Sequence, residues 1–125
     1  MVNSLEAAQL MAEAADEKKA FDILILDLRG LTYFADYFVI CSGSNTPQLG
    51  AIADQITQVL AKQGVHTSHI EGQAGSTWIL MDFGDVVVHI FDEQARIYYS
   101  LEKLWHDAAR VPRRTGSRSL KGATS

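Results

Sequence analysis

Between Pro47 and Gly64 the apolar residues Leu49, Ile52, Ala53, Ile56, Val59 and Leu60 recur at spacings of three and four, the pattern of one continuous helical face. Thr46 or Ser44 is placed to cap this helix, and Pro47 suits its first position, where a missing N–H costs nothing. Gly64 marks its end, because glycine accepts the positive φ of a helix stop. A second helical pattern lies near residues 4–20. Asn3 can cap it, with Glu6 as the reciprocal partner. Its stripe of Leu5, Ala8, Met11 or Ala12, and Ala15 is thin and Ala-rich, which predicts late and weak packing. A third helix is expected from Asp92 to about Ala109, with Tyr98, Leu101, Leu104, Trp105 and Ala108 on one face.

The remaining apolar runs have the length and composition of strands. Phe21–Leu28 holds the run Ile23-Leu24-Ile25-Leu26, and Asp36–Cys41 is aromatic and β-branched. The more polar Val65–Ile70 is expected at an edge, as the strand that returns in parallel after the helix. Trp78–Phe83 and Val86–Phe91 are joined through Asp82-Phe83-Gly84-Asp85, a hairpin signal. The order α-β-β-α-β-β-β-α predicts an α/β domain with a mixed five-stranded sheet and three helices.

A chain of 125 residues with 47% hydrophobic side chains is enough for one packed domain. No apolar run approaches the roughly 18 residues of a membrane span. The opening Met-Val-Asn-Ser-Leu-Glu lacks the basic and apolar stretches of a secretory signal. Cys41 is the only cysteine, so no intrachain disulfide is possible, and a reducing, cytoplasmic setting is expected.

The net charge of −4 conceals an asymmetry. Residues 1–109 carry fifteen acidic side chains against six Lys or Arg, a net −9, whereas residues 110–125 carry five basic side chains and no acid. An acidic body repels the phosphate backbone and suits a basic protein partner. The expected organisation is therefore a domain over residues 1–109 and a basic, disordered tail over 110–125. Direct RNA contact is expected at most through that tail.

Residues capable of chemistry do not assemble into a site. Cys41 lies in an apolar strand without a base and reads as a core thiol. His66 and His69, three apart on a strand, point to opposite faces and cannot easily share a metal ion. His89 alternates with Val87 and Phe91, and reads either as a hydrogen-bonded structural residue or as part of a functional surface. Gly43-Ser44 stands at a strand-to-helix turn, where nucleotidyltransferases hold a triphosphate with backbone N–H groups. Those enzymes also need paired carboxylates for magnesium. Here Asp54 stands alone mid-helix, the following strand offers only Glu71, and Asp82 and Asp85 flank a turn. The alternative, a nucleotide-binding enzyme using Gly43-Ser44 and Asp82, thus lacks its acids. No enzyme, cofactor or metal is expected.

Aromatic and charged residues crowd the last third of the chain. Trp78, Leu80 and Asp82 share one strand face, and Val87, His89 and Phe91 share another. Three helices cannot easily cover both faces of five strands, and an open face bearing Trp, Tyr, His and Arg suits protein binding.

The blocks Ala35-Asp36-Tyr37-Phe38-Val39-Ile40-Cys41-Ser42-Gly43-Ser44, Glu71-Gly72, Trp78 to Phe91, and Arg96-Ile97-Tyr98-Tyr99-Ser100-Leu101-Glu102-Lys103-Leu104-Trp105 closely resemble the Iojap-like ribosomal silencing factors. The resemblance spans residues 5–109 and leaves the basic tail outside it. It implies a nucleotidyltransferase-like sheet without catalytic acids and a homodimer when free. It further implies binding to ribosomal protein L14 (uL14) of the large subunit, which blocks small-subunit joining and represses translation. The face alternation together with this resemblance nominates Trp78, Asp82, His89, Arg96, Tyr98 and Tyr99 as the interface.

Overall fold

The computed structural model describes residues 2–72 and 75–114. Helix α1 covers Ser4–Glu17, and its start is the expected capping box: the Asn3 side chain accepts from the Glu6 N–H at 2.8 Å. The weak packing expected of its Ala-rich stripe is not found. Ala8, Met11, Ala12 and Ala15 have no accessible surface, whereas Leu5 lies off that face and is exposed. Small side chains here permit close approach of whole elements, so α1 packs tightly despite offering little apolar area.

Strand β1 is Phe21–Asp27 and strand β2 is Tyr37–Gly43, every residue of which is buried. Helix α2 covers Thr46–Ala61. Its cap is Asn45 rather than Thr46 or Ser44, the Asn45 side chain accepting from the Gln48 N–H at 2.8 Å. Strands β3 (His69–Glu71), β4 (Trp78–Asp82) and β5 (Val86–Asp92) follow, and the expected β4–β5 hairpin is present.

The expected third helix is broken. Helix α3 is Glu93–Tyr99, Ser100 turns left-handed at φ 45°, and α4 is the single turn Leu101–Leu104. The chain then forms a sixth strand, β6 (Ala109–Arg110), which pairs with β1. The expected face of that helix is split accordingly. Leu101, Trp105 and Ala108 turn inward, while Tyr98 and Leu104 remain exposed.

Among the described residues the mixed sheet thus has six strands rather than five, in the order β3-β4-β5-β2-β1-β6. Its parallel pair is β2–β5, not β2 with the strand that follows α2. Strand β3 runs in the same direction but is held at the edge, separated from β2 by β4 and β5. The seven-residue β5 run is buried on both faces and takes the central place, which the short, exposed β3 cannot fill.

Helices α1 and α2 lie together on one face of the sheet, over Ile25, Val39, Cys41, Met81, Val88 and Ile90. The second face carries Leu26, Phe38, Ile40, Val87 and Phe91, and the short C-terminal elements and the β1–β2 connection reach it. Beyond β6 the chain is strapped across α1. Gln9 donates to the Pro112 carbonyl at 3.0 Å and accepts from the Arg114 N–H at 2.8 Å. Arg113 meets Asp16 at 3.2 Å and Arg114 meets Glu13 at 3.0 Å. Residues 110–114, expected in the tail, are thus placed against the domain, and 115–125 lie outside the described residues.

Candidate protein-binding surface

The second sheet face is crossed by a row of rings in mutual contact. Phe34, from the β1–β2 loop, packs edge-on against Trp105 at 6.0 Å between centroids. Trp105 meets Phe38 at 5.9 Å, and Phe38 meets the His89 ring at 4.5 Å. Trp78 lies 5.8 Å from His89 and 4.5 Å from Tyr99, which carries Tyr98 at 5.0 Å. The Phe34–Trp105, Trp105–Phe38, Phe38–His89 and Tyr98–Tyr99 pairs are edge-to-face and the two Trp78 pairs are tilted, and aromatic pairs contribute about 0.5–1.5 kcal/mol each beyond area burial. The row is therefore a rigid surface, and it is preorganised for contact.

The six nominated residues occupy different depths of this surface. Tyr98 is 81% exposed and Tyr99 45%, while Trp78 is half-buried behind them. His89 is only 4% exposed, so it supports the surface from beneath. Its Nδ1 accepts from the Trp78 indole N–H at 3.2 Å, which pins the indole. Burial pushes the His89 pKa down to about 4, so the ring is neutral near pH 7.

Arg96 likewise is not a free cation at the rim. Its Nε donates to Glu102 at 2.9 Å and its Nη1 to the Ser42 hydroxyl at 2.8 Å, with one-tenth of the side chain exposed. It ties α3 to α4 and to the end of β2. Asp82 stands at the other end of the sheet, and its carboxylate accepts from the Gly84 N–H at 2.8 Å to shape the hairpin turn. Gly72 holds the edge in place from outside. A Cβ there would meet the Trp78 carbonyl oxygen at 2.5 Å, so only glycine lets this loop approach β4 so closely.

The β1–β2 loop adds residues to this surface that periodicity does not nominate. Leu31, Tyr33 and Phe34 are exposed there, Tyr33 completely, and Phe34 begins the aromatic row. The signal was the apolar run Leu31-Thr32-Tyr33-Phe34 placed between two strands, where a loop has no core to fill.

The Gly43-Ser44 turn is already filled by protein. The Ser44 N–H donates to Gln48 Oε1 at 2.6 Å, and Gln48 Nε2 is bound to the Lys18 and Lys19 carbonyls. A phosphate would have to displace that side chain. Cys41 is fully buried, and burial raises its thiol pKa to about 12, which removes nucleophilic thiolate near neutrality. Among the described residues no group of three or more His, Cys, Asp or Glu is placed to hold a metal ion.

Comparison with known proteins places the chain among relatives of one family. A family model described as "Ribosomal silencing factor during starvation" matches residues 2–124 and so extends through the basic tail that the resemblance had left out. The chain is 44% identical over 107 residues to the ribosomal silencing factor of Bacillus subtilis, covering 86% of this chain and 91% of that one. It is 42% identical over 110 residues to the corresponding factor of Halalkalibacterium halodurans, covering 88% and 94%. A mouse protein named for mitochondrial assembly of the ribosomal large subunit is 32% identical over 92 residues, covering 71% of this chain and 40% of its own length. Among solved structures, an X-ray structure from Chromobacterium violaceum matches with a TM-score of 0.81 at 30% identity, covering 95% of this chain and 99% of that one.

Proposed function

The chain belongs to the ribosomal silencing factor family, and on that premise we propose that it binds ribosomal protein L14 (uL14) on the large subunit. Bound there, it excludes the small subunit sterically and represses translation. The observation that carries this reading is the aromatic row on one sheet face, buried at Phe38 and His89 and ending in the exposed Tyr98 and Tyr99 with the half-buried Trp78 against them. Large aromatics held rigid at a surface are the residues that anchor protein interfaces. The acidic body supports a basic partner, because opposite charge speeds encounter while the buried rings slow release. The name of the mouse relative supports the large subunit as the target.

Within this reading the six nominated residues divide their work. Trp78, Tyr98 and Tyr99 make contact, His89 and Arg96 hold them in place from behind, and Asp82 contributes charge at the hairpin end. The protein acts by binding in the cytoplasm, as a homodimer when free, with no catalytic step and no cofactor. The sheet is nucleotidyltransferase-like with its catalytic acids missing, and its Gly43-Ser44 turn is occupied by Gln48.

Sedimentation with isolated ribosomal subunits tests the proposal. The protein is expected to travel with the large subunit and to reduce formation of the joined particle when both subunits are present. Failure to bind either subunit at moderate salt sinks it.

A further inference from the structure

The β1–β2 loop is built more firmly than a connection requires. Leu28 and Ala35 are buried at its base, and the Leu28 N–H donates to the Asp36 carbonyl at 2.8 Å. The Leu31 and Thr32 N–H groups both donate to the Leu28 carbonyl. Arg29 closes the near side with two hydrogen bonds to Asp27 at 3.0 and 2.8 Å and lies over the Tyr37 ring. From this fixed base the loop presents Leu31, Phe34 and a fully exposed Tyr33, none of which gains anything for folding by being outside. Exposed apolar clusters of this kind mark interaction sites, and a rigid loop loses little entropy on binding.

Charge around the loop selects the partner. The end of β1, the start of β2 and the β4–β5 turn meet at one end of the sheet, as the pairings Asp27–Tyr37, Tyr37–Val86 and Asp82–Val87 require. Asp36, Asp82 and Asp85 stand there, and none is in an ion pair among the described residues. An aromatic knob rimmed by carboxylates outside any ion pair fits a surface that offers Lys or Arg around an apolar hollow.

We propose that Tyr33 and Phe34 form a second anchor for the same basic ribosomal protein, at the opposite end of the aromatic row from Tyr98 and Tyr99. This inference rests on the ribosome-binding reading and adds to it a two-ended grip. Trp78 and Tyr99 hold one end, the loop knob holds the other, and the row between them sets the separation.

Affinity of the full chain for large subunits, measured by sedimentation for wild type and for Tyr33→Ala, Trp78→Ala and Asp85→Asn, tests it. Tyr33→Ala is expected to weaken binding about tenfold with no change in thermal midpoint, since its ring is fully exposed. Asp85→Asn is expected to flatten the salt dependence of binding. If Trp78→Ala weakens binding and Tyr33→Ala does not, the second anchor is overturned and the ribosome-binding reading stands. If wild type does not bind at all, both fall. If Tyr33→Ala instead dissociates the free protein into monomers while subunit binding is unchanged, the loop serves a second copy of this chain and the proposal is overturned.

Discussion

The two faces of the sheet are built on opposite principles. On one, α1 and α2 cover the central strands with residues such as Met11, Ile52, Ile56 and Leu60 that retain no accessible surface. On the other, two short helices and a loop give partial cover, and the rings that would fill a core are left at its margin. The closed face stabilises the fold by burial. The open face gives up burial, keeps its rings rigid by stacking them on each other, and so remains available to a partner.

Substitutions should separate the two faces by what they damage. Leu60→Ala on the closed face should cost about 2–5 kcal/mol of stability in denaturant unfolding, because the residue is fully buried and its cavity cannot collapse. Subunit binding by the fraction that remains folded should be unchanged.

Acidification tests the buried support of the open face. His89 has a folded pKa near 4 against about 6.5 unfolded, so between those values the unfolded chain binds the extra proton. Stability should therefore fall as pH drops from 6.5 toward 4, by roughly 3 kcal/mol in full. His89→Gln should flatten that part of the pH profile. A wild-type profile that is already flat there refutes the burial argument.

Arg96→Met should cost about 2 kcal/mol, since Glu102 and Ser42 lose a shared partner, and should loosen α3 more than the sheet. Hydrogen exchange along α3 would show the difference. Tyr98→Ala should leave stability within about 0.5 kcal/mol of wild type and weaken subunit binding by about 1–2 kcal/mol. Unchanged binding in that variant removes Tyr98 from the surface.

Periodicity revealed the closed face more fully than the open one. The α2 stripe and the β4–β5 hairpin are local patterns, and both appear where they were expected. The break at Ser100 carries no Gly or Pro to announce it, and β6 is two residues long, too short for any alternation to register. Arg96 on a helix suggests a solvent-facing cation, and its burial depends on Ser42, 54 residues away. Tyr33 and Phe34 leave no periodic signal, because neither a 3.6- nor a 2-residue period runs through the loop. The aromatic content of the surface was thus legible, but its depth and its second end depend on tertiary contacts.

The strap over α1 has a consequence for the order in which the molecule is made. Gln9 is bound to Pro112 and Arg114, partners 103 and 105 residues further along the chain. At roughly 5–20 residues per second, α1 is translated many seconds before the residues that fasten it. Vectorial synthesis therefore leaves an Ala-rich helix, marginal on its own in water, without its clasp for most of elongation. A factor assigned to the ribosome by family completes its own structure only as its synthesis there nears the end of this domain.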